Sequence, residues 1–282
     1  RGAPVKLYRN LILMSCAAMA LAGCGSEDIS SPGTGGNVTI NNPTTPTTPT
    51  TPTTPTGVTP ASGCPTIADP QGLKDDGTIT GPTGTWRVCT LPSRINRSIT
   101  LPKIAGLLYQ MAGRVDVGAD GGFTKTASDT NVTLTIEPGV IVYGGSGVSW
   151  LAVNRGNKIN AVGTAAKPII FTSRDNVLGL NTETSQGQWG GVVLMGRGKV
   201  TDCTTGSTTS GTCERQTEGA ADPALFGGAD DTDSSGTMSY VQIRYSGYVL
   251  GPNVELQSLT PSGIGSGTVI DHIQSYNSSD DG

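Results

Sequence analysis

The sequence predicts an all-β protein in which short strands wind into a solenoid, and three observations carry that prediction. Glycine supplies 41 of the 282 residues, about twice its usual share, and only 14 % of residues are charged. No segment shows the apolar periodicity of an amphipathic helix. From Val132 onward, short runs of β-forming residues alternate with turns rich in Gly, Asn or Asp.

Several apolar runs are predicted as strands, and their spacing favours a solenoid over a sandwich or a barrel. Residues 151–173 hold three such runs separated by short turns, which predicts one coil of a parallel β-helix. Coils of this length bury their apolar interior only against the next coil. The predicted strands are Leu134–Ile136, Val140–Tyr143, Leu151–Val153, Ile159–Val162, Ile169–Thr172, Val192–Met195, Val241–Arg244 and Val269–Ile273.

A succession of motifs then identifies a resemblance to known proteins. The motifs are Thr133-Leu-Thr-Ile-Glu-Pro-Gly139, Gly156-Asn-Lys-Ile-Asn-Ala-Val-Gly163, Lys167-Pro-Ile-Ile-Phe-Thr-Ser173, Gln188-Trp-Gly-Gly191 and Ser235-Gly-Thr-Met-Ser-Tyr-Val-Gln-Ile-Arg244. Over about residues 100–282 the chain resembles a large group of bacterial secreted and surface-anchored right-handed parallel β-helix proteins. The resemblance implies the fold and an envelope location, and it implies no chemistry. In that group a segment like 275–282 leads into further rungs, so we expect the solenoid to continue beyond residue 282.

The N-terminal residues have the pattern of an export signal. The apolar run Leu11–Leu21 follows three basic residues, Arg1, Lys6 and Arg9, and is too short to span a bilayer. It ends in Leu-Ala-Gly-Cys24, which resembles the lipobox of bacterial lipoproteins and implies a signal peptide over residues 1–23 and lipidation of Cys24. Gly25 rather than Asp follows this cysteine, which in Gram-negative lipoproteins is compatible with sorting to the outer membrane, so we expect an anchored domain that faces the periplasm or the cell surface. Because the chain starts with Arg1, we also expect residues to precede it.

The remaining chain divides into three parts. Residues 24–63 are predicted as a disordered, lipid-anchored linker, in which Pro43–Thr56 repeats Thr-Thr-Pro four times. Proline at every third position favours extended polyproline II, which suits a spacer. Residues 64–131 are predicted as an N-terminal cap with the first strands, and residues 132–282 as the parallel β-helix.

The cysteines indicate an oxidising compartment. Beyond the signal and Cys24, an even set of four remains, and the favoured pairing joins neighbours in sequence: Cys64 with Cys89, and Cys203 with Cys213. Four cysteines allow three pairings, so the other two remain open. A zinc site is disfavoured because no CxxC motif occurs and the single histidine is distant in sequence.

Two acids and a histidine near the end of the chain are candidate catalytic residues: Asp280, Asp281 and His272. Polysaccharide hydrolases use a pair of carboxylates as acid and base or nucleophile, and lyases of this fold often need Ca²⁺ and a basic residue. The alternative is that Asp-Gly simply forms a turn.

A second candidate site is a calcium loop at Asp231, Asp233 and Ser235. Oxygen side chains at alternate positions followed by Gly236 match the first half of a calcium-binding loop. Gln242 stands where a bidentate Glu would close such a loop. Calcium is the one cofactor that the sequence indicates, with a plain polar turn as the alternative.

Three tyrosines are candidates for stacking against a glycan: Tyr240, Tyr245 and Tyr248. They cannot all point inward if Val241 and Ile243 do, because side chains alternate along a strand. We therefore expect one or two of these rings to be exposed, with core packing as the alternative.

The sequence as a whole predicts an outer-membrane-anchored surface lipoprotein that acts as a non-catalytic binding or adhesion module for a glycan or an envelope protein. One alternative is a carbohydrate-active enzyme, either a polysaccharide lyase or a glycoside hydrolase. Another is a structural envelope protein that serves a transport or secretion system. Nucleic acid is disfavoured as a partner because the net charge is −4 and no basic run occurs.

Overall fold

The computed structural model describes residues 57–145, 147–218, 220, 222–251 and 254–282. The predicted signal peptide, Cys24 and the Thr-Pro repeats up to residue 56 lie outside the described residues. Within the described ranges, no helix is long and apolar enough to cross a membrane.

The chain is built almost entirely from short strands, which confirms the predicted all-β class. The strands are β1 Lys74–Gly81, β2 Gly84–Thr90, β3 Arg94–Ile95, β4 Ile99–Leu101, β5 Leu107–Met111, β6 Arg114–Val117, β7 Thr133–Ile136, β8 Ile141–Gly144, β9 Trp150–Val153, β10 Lys158–Val162, β11 Ile169–Ser173, β12 Val192–Met195, β13 Arg215–Gln216, β14 Leu225–Phe226, β15 Gly236–Arg244, β16 Val249–Gly251, β17 Val254–Glu255, β18 Leu259–Ser262 and β19 Val269–Tyr276. One short helix, α1 Arg174–Leu178, follows β11.

Parallel pairing stacks these strands into three faces of a parallel β-helix, as predicted. The first face contains β4, β7, β10 and the first halves of β15 and β19. The second face contains β2, β5, β8, β11 and the second halves of β15 and β19. The third face contains β3, β6, β9, β12 and β18. The chain visits the faces in the repeating order second, third, first, so each circuit is one rung.

The core lies inside the rungs and follows from the alternation of side chains along each strand. In β10, Ile159 and Ala161 are fully buried while Lys158, Asn160 and Val162 point outward. Inward-facing Val, Ile, Leu and Met from all three faces form one continuous cluster with Phe171 and Trp189. Each rung therefore buries its apolar side chains against the rungs next to it.

The corner between the first and second faces explains why β15 and β19 are longer than their predicted strands. In the earlier rung, a turn at residues 163–168 separates β10 from β11. In the later rungs, Tyr240 (φ 51°) and His272 (φ 47°) adopt left-handed backbone and turn the corner in one residue. The ladder between β15 and β19 continues on both sides of this corner.

The two predicted disulfides are confirmed. Cys64–Cys89 joins the N-terminal segment to β2 of the first rung, with a Cα–Cα distance of 5.6 Å. Cys203–Cys213 closes a loop in the long excursion between β12 and β15. The first bridge ties the N-terminal segment to the solenoid, and the second is local to the excursion.

Chain segments that leave the rungs cover the outer surfaces of two faces. On the third face, Ala224 and Phe226 of the long excursion, with Leu256, pack against outward-facing Trp150 and Val193. On the second face, Ile79 of β1 with Val177 and Leu178 of α1 packs against outward-facing side chains. The helix was not predicted, because its five residues are too few to show periodicity.

Candidate functional site

An apolar groove lies on the outer surface of the second face. Its floor consists of Leu108, Ile141 and Ile170, which are outward positions on β5, β8 and β11. Ile141 and Ile170 are direct neighbours in the parallel ladder, and Gln242 of β15 follows Ile170. Adjacent strands lie about 4.8 Å apart, so the floor spans three successive rungs.

Two walls enclose this floor. The turn between β1 and β2 contributes Pro82 and Thr83, and β2 contributes the half-buried Trp86. On the other side, α1 contributes Asn176 and Val177. The groove encloses about 290 Å³, close to the lower end of the usual range for small-ligand sites, about 300–1,000 Å³.

Hydrogen-bonding groups stand at the rim of the groove. The Thr172 hydroxyl donates to Asn176 Oδ1 at 2.8 Å, and the Asn176 backbone N–H donates to the Ser173 hydroxyl at 3.1 Å. Ser173 thereby acts as the N-cap of α1. Trp86 Nε1 donates to the Thr83 hydroxyl at 3.2 Å. These bonds fix the positions of the walls.

Arg244 is the one charged side chain among the described residues that line the groove, and Lys103 lies outside this lining. Arg244 donates to Gln242 and forms no ion pair with a carboxylate of the described chain. Lys103 lies with its Nζ 5.9 Å from the centroid of the Trp86 ring, and burial lowers the pKa of this lysine. None of the ten lining residues is an acid.

This arrangement suits a ligand that has both apolar faces and negatively charged or hydroxyl groups. The aliphatic floor and the Trp86 ring can pack against C–H surfaces. Arg244 can pair with a carboxylate in a charge-assisted hydrogen bond, and Thr172 and Asn176 can bond to hydroxyls.

The predicted catalytic residues are not in this groove. His272 stacks on Tyr240, with ring centroids 4.2 Å apart, and its Nδ1 lies 2.8 Å from Asp271. Asp271 also accepts a hydrogen bond from Ser239, and the bonds from Ser239 and His272 lower its pKa. Ser239 and His272 thus bond to the same aspartate, and His272 stays a prediction as a catalytic residue.

Asp280 and Asp281 occupy the turn after β19. The backbone carbonyl of Asp281 accepts from the Ser258 N–H at 3.1 Å and from the Ser278 hydroxyl at 3.3 Å. The structure thus uses the backbone of Asp281 to hold the turn, and the two acids stay a prediction as catalytic residues.

The predicted calcium ligands each have a protein partner. Asp231 accepts from the backbone N–H and the Nζ of Lys199, at 2.9 and 3.0 Å. Asp233 accepts the Arg197 N–H at 2.7 Å, and Ser235 donates to the Met195 carbonyl. Within the described ranges, no group of three His, Cys, Asp or Glu side chains is placed to hold a metal. The calcium site stays a prediction.

The three candidate tyrosines have different surroundings. Tyr240 is half-buried at the corner and stacks on His272, and Tyr248 is half-buried after β15. Tyr245 is only 9 % exposed and meets Tyr276 edge to face, with ring centroids 5.5 Å apart. Glycan stacking on these rings stays a prediction.

Sequence reasoning missed the groove and a buried polar network on another side of the molecule. In that network, Arg155 bridges Asp120 and Glu214, while Arg197 pairs with Asp129. A sequence signal for the groove was present: some strands carry apolar residues at outward as well as inward positions, as in Ile169-Ile170-Phe171. Such runs indicate strands that are covered on both sides.

Comparison with known proteins matches residues 123–282 to a family model described as a pectate-lyase-like β-helix domain. No curated protein and no solved structure matches the chain.

Proposed function

The chain belongs to the family of pectate-lyase-like β-helix domains, and we propose that it uses this fold to bind uronate-bearing glycans without cleaving them. The observation that carries the proposal is Arg244, which pairs with no carboxylate of the described residues and lines an apolar groove with an aromatic wall. A uronate offers the matching chemistry, since its ring has C–H faces and its edge has hydroxyls and one carboxylate.

The composition of the groove supports binding rather than hydrolysis. Glycoside hydrolases of the usual kind need two carboxylates that flank the scissile bond, and no acid lines the groove. The candidate acids Asp280 and Asp281 are not among its lining residues. A polysaccharide lyase is the second candidate, because Arg244 could pair with the carboxylate of a uronate from which a base removes the neighbouring proton.

The proposal also places this module on the envelope. Lipid at Cys24 would anchor the protein in the outer membrane, and the Thr-Pro segment, residues 43–56, would hold the β-helix away from the lipid. The disulfides support export, because such bonds form in oxidising compartments.

A polysaccharide screen that records both binding and product release tests the proposal. We expect the protein to bind polygalacturonate or alginate more tightly than neutral xylan, with no product. Arg244→Gln should weaken binding about 10- to 100-fold, because a hydrogen bond to a charged group contributes about 1.5–3 kcal/mol. Trp86→Ala should also weaken it.

Arg215→Gln is the matched control, since Arg215 is an exposed arginine that does not line the groove. Equal loss of affinity in Arg215→Gln and Arg244→Gln would show non-specific attraction and remove the groove as the site. Product release that Asp281→Asn abolishes would assign the protein to the enzymes instead.

A further inference from the structure

A second depression lies at the corner between the first and second faces. It encloses about 550 Å³, and its charged lining residues are Lys103, Glu137 and Lys167. Lys103 follows β4, Glu137 follows β7, and Lys167 belongs to the turn between β10 and β11. The depression therefore collects side chains from the same corner of three successive rungs.

The two lysine side chains converge over Gly139, which lies at this corner in the middle rung. A Cβ atom placed on this glycine would lie 3.6 Å from Lys167 Cβ and 3.9 Å from Lys103 Cε. The backbone of Gly139 is left-handed (φ 83°), which favours glycine, and the missing side chain leaves room for both lysines. Side chains from the rungs on either side of Gly139 therefore meet at one point.

Hydrogen bonds fix the backbones of these two lysines, here called the lysine pair, while their ammonium groups stay free of carboxylates. The Lys103 N–H donates to Glu137 Oε2 at 2.8 Å, and the Lys167 N–H donates to the Thr164 carbonyl and hydroxyl, both at 3.0 Å. Both lysines are exposed, and neither forms an ion pair with a carboxylate of the described residues. Two lysines against one glutamate give the corner a net positive charge.

Lys103 connects this corner to the groove. Its Nζ lies 5.9 Å from the centroid of the Trp86 ring, which forms part of a groove wall. Trp86 belongs to the tip of the β1–β2 hairpin (residues 79–86), which packs against the outer surface of later rungs on the second face. Gly139 precedes Ile141 of the groove floor by two residues, about 7 Å along an extended chain. A sugar ring that packs on Trp86 therefore has the lysine pair as its neighbour.

From this arrangement we infer that the lysine pair is a second anion subsite, which takes the carboxylate of a further uronate in a chain held by the groove. The inference rests on the proposed function and narrows its ligand to an oligomer with carboxylates on at least two sugar residues. Arg244 pairs with one carboxylate in the groove, and the lysine pair takes another beyond Trp86. Each contact is a charge-assisted hydrogen bond, and salt screens the one at the exposed corner.

Calorimetric titration with galacturonate trimer and galacturonate monomer tests the inference. We expect the wild type to bind the trimer more tightly than the monomer. Lys167→Gln should lower the ratio of trimer to monomer affinity about 10-fold, the lower end for a hydrogen bond to a charged group, because the corner is exposed. Lys167 is the residue to change, since Lys103 also lies near Trp86 and its loss could disturb the groove wall.

Lys158→Gln is the matched control, because Lys158 is an exposed lysine at the start of β10 that lines neither the groove nor the corner depression. It should leave the affinity ratio unchanged. An equal loss in Lys158→Gln would show general attraction by surface charge and overturn the inference. If Lys167→Gln keeps the wild-type ratio while Arg244→Gln weakens both ligands, the subsite is wrong and the proposed function stands. If neither ligand binds the wild type, both fail.

Discussion

Arg155 shows how one buried cation holds a long excursion onto the solenoid. It is 1 % exposed, its Nη2 lies 2.6 Å from Asp120 Oδ2, and its Nη1 contacts Glu214. Nη1 also donates to the Gly227 carbonyl at 2.9 Å. Glu214 and Gly227 belong to the excursion between β12 and β15, so one side chain joins it to a turn of the rungs.

Loss of this arginine should therefore destabilise the protein. We expect Arg155→Met to lower the free energy of unfolding by about 3 kcal/mol, the lower end of the range for a broken buried ion pair. The lower end applies because Asp120 remains 35 % exposed. Urea unfolding measures the change.

Arg215→Met provides the comparison, since Arg215 pairs with Asp202 at 3.6 Å on the surface. Exposed pairs contribute about 0–1 kcal/mol. Similar losses in the two variants would mean that burial of Arg155 adds nothing to stability.

Asp129 should make stability depend on pH. Burial alone raises the pKa of this carboxyl, but hydrogen bonds from Arg197 and Thr126 outweigh burial and hold the pKa below its ordinary value of 3.8. A lowered pKa in the folded state gives stability that is present above about pH 4 and is lost as the pH falls through the folded pKa.

Thermal melts of the wild type and Asp129→Asn between about pH 6 and about pH 2 test this pH dependence. Near neutral pH the wild type should melt at a higher temperature than Asp129→Asn. The difference between the two melting temperatures should become smaller as the pH falls. A difference that stays constant over this range would show that the charge of Asp129 is not what stabilises the fold. Asp202→Asn, at an exposed position, should show little difference at any pH.

The two disulfides should protect different parts of the molecule. In the chain-entropy picture, each of these bridges contributes about 3 kcal/mol. Cys64–Cys89 ties the N-terminal segment to the first rung, so Cys64→Ser with Cys89→Ser should lower the temperature of global unfolding. Cys203–Cys213 closes a loop of the excursion, so its removal should increase amide exchange mainly within residues 196–235.

Hydrogen exchange and thermal melts on the two double variants measure this contrast. Equal drops in melting temperature, with equal changes of exchange in the rungs, would show that the excursion unfolds together with the solenoid.

The elements also show what could be predicted from the sequence. The strand Val192–Met195 was predicted with its observed bounds because the whole run is apolar and buried. The number of disulfides followed from the cysteine count, and the favoured pairing of sequence neighbours is the one observed. The groove could not be predicted. Trp86 and Arg244 both line the groove, although their strands belong to rungs that are far apart in sequence. The long excursion between β12 and β15 interrupts the regular spacing of strands, so the sequence does not show which strands become neighbours. Nothing in the residues of the hairpin indicates that its tip bends over later rungs.

Attachment of the protein to the envelope should depend on Cys24. Cys24→Ala should leave an unlipidated precursor that keeps its signal peptide, because the thiol of Cys24 is the proposed site of lipid attachment. Metabolic labelling with a fatty acid, followed by fractionation of the envelope, measures this. Normal labelling of the variant would rule out the anchor. Cys16→Ala, within the predicted signal, should label normally.

The Cys64–Cys89 bridge has a mechanical consequence. Tension applied through the chain before residue 57 would pass from Cys64 directly across the sulfur atoms to Cys89. Residues 65–88 would then lie outside the load-bearing path. This bypassed stretch contains β1, the hairpin tip and Trp86, so a pull on the N-terminal segment would reach the hairpin tip through the hydrogen bonds of Val58 to Thr83 and Thr85 and not along the covalent chain.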